Sequence, residues 1–192
     1  MSRVDLVVLG LLAEQPMHGY KIVSFFEKRG LIFWTRVKTA SVYKALQRLE
    51  KNDFISGEMK LDDNGPPKKV FTITDKGKNQ FLEILRHFLF NKDVSTSPMD
   101  FWNALRFVHH TISRAEFLRA LENHEKWMNE HVGNMKKKHQ EAIDAGKLNN
   151  IPFYGKIMMN TMNELMKIEI KTITEMKLAA MLPENQIDFA EE

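Results

Sequence analysis

Residues 39–74, TASVYKALQRLEKNDFISGEMKLDDNGPPKKVFTIT, decide the fold of this chain. From Val42 to Leu49 the apolar side chains recur at the i, i+3, i+4, i+7 spacing of a helix with one buried face. The pattern then changes to the two-residue alternation of strands, on both sides of a turn at 62–67. A short helix followed at once by a hairpin predicts a winged helix-turn-helix.

The outer face of this helix has the chemistry of a DNA reader. Lys44 can donate to guanine, Gln47 can pair with adenine, and Ser41 can serve either base. Residues 36–51 include five basic residues and one acid. The helix alone leaves an alternative open, namely an ordinary amphipathic helix with a solvated basic face.

The hairpin favours DNA contact over that alternative. Gly65 and the two prolines after it are strong turn formers, because glycine tolerates positive φ and proline fixes φ. Met59 alternates with Lys60 before the turn. We expect Lys68 and Lys69 at the tip, where a wing reaches phosphates or the minor groove. Solubility and protection of the sheet edge are the alternative role of these lysines.

Two helices are predicted upstream. Residues 4–12 follow the pattern of a buried helix, and a second helix is expected at 18–29, closed by Gly30. The connector that follows holds Phe33 and Trp34, which we expect to plug the core beneath the recognition helix.

Three segments in this order resemble the PadR family of bacterial transcriptional regulators: PMHGY (16–20), SVYKALQRLE (41–50) and KKVFTITDKG (68–77). The resemblance covers residues 1–90 and implies a DNA surface on the helix and wing, with Tyr43 as a phosphate contact. Packing between helices is the alternative role of Tyr20 and Tyr43. Ala40 and Pro66 depart from the family pattern, which implies an altered operator or weaker wing contact. The predicted DNA contacts are Arg36, Lys38, Thr39, Ser41, Tyr43, Lys44, Gln47, Arg48, Lys68 and Lys69.

Composition agrees with a small globular regulator. The chain has 192 residues, of which 43% are hydrophobic. Residues 1–90 carry 15 basic and 10 acidic side chains, against 13 and 15 in the rest, so the basic excess lies in the half that holds the predicted DNA site. The chain has no cysteine, which excludes disulfides and thiol redox sensing. No apolar run is long enough to span a membrane and no signal peptide is apparent, which predicts a cytoplasmic protein.

The second half is predicted to be all helical. We expect a DNA-binding domain at 1–90, a helical dimerisation domain at 98–182 and a tail at 183–192 that is disordered or loosely packed. The linking helix is expected at 75–90, followed by helices at 98–110, from a capping box at Ser113 to 145, and at 153–182.

The long helices predict a dimer. Leu121, Met128 and Met135 recur every seven residues, and the final helix is apolar on more than one side, so a second subunit is the simplest cover. The resemblance implies the same, since relatives with a long C-terminal helical domain dimerise through it. A C2 dimer would bind a palindromic operator. The predicted dimer residues are Leu121, Met128, Val132, Met135, Met158, Met162, Leu165 and Ile168.

A small aromatic effector is a further possibility. Some relatives bind phenolic acids or flat drugs, whereas others have no known ligand. Phe101, Trp102, Trp127, Phe153 and Tyr154 could line such a pocket, or they could be plain core aromatics.

Other functional classes find little support. The histidines lack the i, i+3 or i+4 spacing typical of a metal site, and no phosphate loop, nucleophile elbow or paired-carboxylate motif appears. We therefore predict no metal, no cofactor and no enzymatic activity. The sequence predicts a homodimeric winged-helix repressor. The alternatives are an activator of the same fold and a winged-helix module that binds protein.

Overall fold

The computed structural model describes residues 2–28, 39–62, 65–91, 98–146 and 151–191. The chain divides into two compact units, Met1–Phe107 and Val108–Glu192. The predicted fold class is confirmed: the described residues are mainly helical, with one small antiparallel sheet in the first unit and long helices in the second.

The first unit is a winged helix-turn-helix. Its sheet has the strand order β1-β3-β2, with both pairs antiparallel. The strand β1 was not predicted, because two residues are too few to show an alternation. Gly30, Phe33 and Trp34 lie outside the described residues. The elements are α1 (Arg3–Glu14), β1 (Met17–His18), α2 (Gly19–Lys28), α3 (Thr39–Lys51), β2 (Ile55–Asp62), β3 (Gly65–Ile73), α4 (Asp75–Phe90) and α5 (Pro98–Leu105).

Helix α1 is the centre of this unit. Residues 6–12 are all buried, because α1 contacts α3, α4 and β3 on different sides. Ser2 caps the helix by accepting the amide of Val4 at 3.2 Å. The helix on which α3 rests is therefore fixed by burial around its circumference.

Helix α5 packs with the first unit. The guanidinium of Arg3 binds the buried carboxylate of Asp100 through both oxygens, with Nη2 2.7 Å from Oδ2. Phe107 lies against Gly10, where an added Cβ would be 2.4 Å from the phenyl ring. The predicted helix 98–110 was too long, since α5 ends at Leu105. The division after Phe107 also differs from the predicted boundaries at 90 and 98.

The second unit is built on two long helices. They are α6 (Arg114–Asp144) and α7 (Phe153–Ala180). The predicted N-cap is confirmed, because Ser113 Oγ accepts the amide of Glu116 at 3.2 Å. Across the helix pair, His124 Nε2 lies 2.9 Å from Glu169 Oε1, and Lys177 donates to Glu125 at 2.7 Å.

The C-terminal segment is ordered, so the expectation of a loosely packed tail was wrong for residues 183–191. Pro183–Asp188 forms a 3₁₀ helix. Phe189 is buried beside Phe117, with ring centroids 5.3 Å apart. The amide of Ala190 donates to the carbonyl of Ile112 at 3.0 Å. The apolar Phe189 inside an acidic tail holds the segment in place.

Candidate nucleic-acid interface

Helix α3 presents the face that the sequence predicts for DNA. Its apolar stripe, Val42 to Leu49, is buried as expected. Lys44 and Gln47 are exposed on the other side, as is Thr39, while Ser41 is half-buried at the edge. Arg36 and Lys38 lie outside the described residues. A recognition helix needs a buried apolar face that holds it in place and a polar, cationic face that is exposed.

Arg48 is engaged within the fold. Its Nη2 binds Oδ1 of Asp5 on α1, so this cation ties the recognition helix to the central helix. Burial raises the pKa of the Asp5 carboxyl, and the positive charge of Arg48 opposes that rise. Arg48 therefore helps to hold α3 in position, a role that its place on the basic face did not indicate.

The hairpin register moves the two wing lysines away from the tip. The last pair before the turn is Asp62 with Gly65, whereas Lys68 pairs with Lys60 and Lys69 pairs with Met59. The expected tip position was wrong, because both prolines after the turn belong to β3. Met59 is 64% exposed, so β2 lies outside the apolar core at this position.

Lys69 makes a close ion pair with the recognition helix. Its Nζ lies 2.7 Å from Oε1 and 2.8 Å from Oε2 of Glu50. An ideal Cβ added to Gly57 would be 2.2 Å from Cε of Lys69 and 2.6 Å from Oε1 of Glu50. The lysine stem therefore crosses β2 at a position where a side chain would block it. Glu50 and Gly57 were not predicted as site residues.

An aromatic and basic cluster lies beside α3. The rings of His18 and Tyr20 stack with centroids 5.4 Å apart, and Nζ of Lys68 lies 5.6 Å from the centre of the Tyr20 ring. His18 Nδ1 is 3.2 Å from the carbonyl oxygen of Lys69, so this nitrogen is the donor. Tyr43 is 45% exposed. Exposed tyrosines next to a cation suit contact with a phosphate backbone.

The joint between α3 and the wing is tightly bonded. Two residues after α3 ends at Lys51, Asp53 adopts φ 59°, and the amide of Phe54 donates to the carbonyl of Leu49 at 2.9 Å. Thr74, at the end of β3, donates its hydroxyl to the carbonyl of Asp53 at 2.7 Å and accepts the amide of Gly77 at 3.0 Å. These bonds fix the hairpin relative to the recognition helix.

The predicted dimer residues divide into two groups. Leu121 and Met128 are buried within the single chain, whereas Val132 is half-buried and Met135 is exposed. On α7 the remaining predicted residues are exposed and follow a helical stripe. They are Met158, Met162, Leu165 and Ile168.

The five aromatics predicted for an effector site have different environments. In the first unit Phe101 is fully buried and meets the half-buried Trp102 edge-on at 5.7 Å. In the second unit Trp127 stacks between two histidines, and Phe153 and Tyr154 are exposed. Elsewhere in that unit a groove of about 440 Å³ is lined by four methionines together with Lys136 and His139.

Two absences hold for the ranges that the structure describes. Among those residues, no group of three or more histidine, aspartate or glutamate side chains is placed to hold a metal ion. Within the same ranges no helix is long and apolar enough to cross a membrane.

Comparison with known proteins identifies the first unit. Residues 8–83 match the model of the transcriptional regulator PadR-like family. Residues 8–83 belong to the PadR-like family. This family consists of transcriptional regulators and not of enzymes.

Individual relatives match over the same region. The negative transcriptional regulator PadR of Bacillus subtilis is 32% identical over 88 residues, which are 45% of this chain and 48% of that protein. A probable transcriptional regulator of Mycobacterium tuberculosis is 31% identical over 71 residues, 37% of each chain. Each match thus spans less than half of the relative's length.

Solved structures of PadR-like proteins are also similar. The crystal structure of B. subtilis PadR in complex with operator DNA is 20% identical with a TM-score of 0.43, and the alignment covers 92% of this chain and 98% of that one. A PadR-like regulator from Bacillus cereus is 32% identical with a TM-score of 0.37, over 41% of this chain and 74% of that one.

Proposed function

We propose that this chain is a homodimeric transcriptional repressor that acts in the cytoplasm and binds a palindromic operator. The observation that carries the proposal is the exposed face of α3, where Lys44 and Gln47 stand on a helix fixed by its buried stripe. These side chain types read guanine and adenine edges in the major groove. The PadR-like sequence of residues 8–83 supports the same function.

Repression rather than activation is supported by one relative. The B. subtilis protein that shares 32% identity over 88 residues is named a negative transcriptional regulator. A bound dimer that covers promoter DNA would act in the same direction by blocking access. Mapping of the bound sequence relative to the promoter separates the two modes.

Dimerisation is supported by the exposed apolar stripe of α7, because soluble monomers rarely leave a contiguous patch of this kind uncovered. Two chains related by a two-fold axis present two α3 helices, which suits two half-sites one helical turn apart. The partner of the dimer is then duplex DNA with an inverted repeat.

Relief by a small aromatic effector is the second part of the proposal. The methionine-lined groove of the second unit combines apolar walls with Lys136 and His139, which suits a flat apolar molecule that carries an anionic group. Met158 and Met162 belong both to this groove and to the apolar stripe, so the effector would bind at the edge of the proposed dimer surface. We expect a small aromatic acid to release the protein from its operator. Lys136→Ala should raise the concentration of acid that is needed, as measured by operator release, without changing operator affinity in its absence.

Base reading by α3 is tested by Lys44→Ala and Gln47→Ala. Selection from a random duplex library first supplies the operator. Each substitution is then expected to cost about 1–3 kcal/mol on the operator and to relax base preference. Binding is measured on operator and scrambled duplex at one salt concentration, with Lys126→Ala, an exposed lysine of α6, as the control for lost charge.

Two results would contradict this role. An equal loss on both duplexes would remove Lys44 and Gln47 from base reading. Failure of the full chain to select any sequence, or to show salt-dependent duplex binding, would favour a winged-helix module that binds protein.

A further inference from the structure

Glu50 forms an ion pair with the ammonium group of Lys69, a cation that the proposed DNA interface would use. The ammonium group faces both carboxylate oxygens of Glu50, at 2.7 and 2.8 Å. Lys69 and Glu50 are both partly open to solvent, with side chains 42% and 31% exposed. The ion pair is thus formed at the surface where the wing and the recognition helix meet.

Gly57 leaves room for this conformer of the lysine. The Cε atom and the carboxylate oxygen fill the space above Gly57 that any larger side chain would take. The ammonium group also lies 5.4 Å from the centre of the Phe71 ring. A long flexible side chain is therefore held over β2 instead of extending freely into solvent.

A carboxylate and a phosphate compete for the same donor. Both present oxygen acceptors with negative charge. An ammonium group that already faces two carboxylate oxygens has fewer N–H groups left to donate to a phosphate. Glu50 is the only acidic residue between positions 36 and 51, and it belongs to α3. Its charge is therefore placed on the recognition helix itself, next to the wing lysine.

We infer that Glu50 competes with DNA phosphates for Lys69 and so lowers the non-specific affinity of the wing. The wing then contributes less to binding on any sequence, and discrimination rests more on the outer face of α3. This inference depends on the proposed DNA-binding function, since without a duplex there is no competitor for the lysine.

Two substitutions release Lys69 in different ways. Glu50→Gln removes the competing charge. Gly57→Ala keeps the net charge, and its new methyl group meets the mobile ends of Lys69 and Glu50, with the Phe71 ring next nearest at 3.1 Å. Both variants are expected to bind a mixed-sequence duplex about two- to fivefold more tightly, the size of a surface ion pair. Their plots of log K against log salt should steepen by about 0.9, as one more phosphate contact requires.

Controls separate release of Lys69 from a general change in charge. Glu58→Gln alters an exposed acid on β2 by the same charge and should leave the salt slope unchanged. In a Lys69→Ala background, Glu50→Gln and Gly57→Ala should no longer increase affinity. Circular dichroism on all variants checks that the fold is retained.

The outcomes decide between the inference and the function on which it depends. If the unmodified chain binds no duplex, the proposed function fails and the inference fails with it. If it binds but Glu50→Gln and Gly57→Ala leave slope and affinity unchanged, only the inference is overturned. Weaker binding by both variants would also overturn it, because the ion pair would then support the wing instead of restraining it.

Discussion

The double substitution Leu165→Glu with Ile168→Glu is expected to convert the proposed dimer into a monomer and to lower operator affinity about a hundredfold or more. Both side chains are more than half exposed in the single chain and lie on the apolar stripe of α7. Association would bury the new carboxylates, which is costly. In the single chain the same positions stay in water, so its fold should not be affected. Loss of the second half-site removes the gain from binding both together.

A matched control comes from exposed positions of α6 that lie outside the methionine-lined groove. Asn129→Glu with Asn134→Glu introduces the same charge at two exposed positions and should leave the dimer intact. Sedimentation gives the oligomeric state, and titration of operator and scrambled duplex gives the two affinities. In the Leu165 and Ile168 variant, affinity for the scrambled duplex should change little. If this variant remained a dimer with full operator affinity, the interface would lie elsewhere.

Local patterns predicted most of the fold because they depend on neighbours in the sequence. The stripe from Val42 to Leu49 is buried as its spacing requires. Helix α4 begins and ends at the expected residues, and the structure shows that Thr74 caps its first turn. These features follow from the periods of helices and strands and from capping chemistry, which do not require a partner from a distant segment.

Long-range pairing limited the prediction of the site. Arg48 was predicted as a DNA contact, whereas its ion pair with Asp5, 43 positions away in the sequence, was not predicted. The two wing lysines were assigned to the tip because the turn was recognised but its register was not, and register depends on which residues pair across the hairpin. A signal was nevertheless present: Gly57 interrupts a strand, which often marks close approach by another group.

The second unit shows the same limit. The seven-residue spacing of Leu121, Met128 and Met135 predicted one continuous surface. The first two are buried within their own chain, however, and the third is exposed. Periodicity identifies an apolar face and does not say which neighbour covers each part of it. The proposed dimer surface therefore rests on the exposed residues of α7, which only the structure separates from the buried ones.

Gly77→Ala is expected to destabilise the first unit by about 3 kcal/mol, because overpacking against a fixed backbone is costly. The new Cβ would lie 1.9 Å from the carbonyl oxygen of Phe54 and 2.9 Å from Cγ1 of Ile73. That carbonyl accepts the amide of Thr74 at 3.1 Å, so it cannot move without breaking the joint between wing and recognition helix. Thermal unfolding should occur roughly 10–20 °C lower, and operator affinity should fall at temperatures where the fold survives.

The control is Gly133→Ala in α6, the same substitution within a helix. No atom lies within 4 Å of the added Cβ, so the change should be neutral or stabilise the second unit by up to about 1 kcal/mol through helix propensity. If Gly77→Ala lowers stability while Gly133→Ala does not, the close approach to Phe54, and not the loss of glycine flexibility, explains the need for glycine at 77. An unchanged unfolding temperature for Gly77→Ala would mean that the wing can move away from α4. The joint between the wing and the recognition helix would then not be rigid.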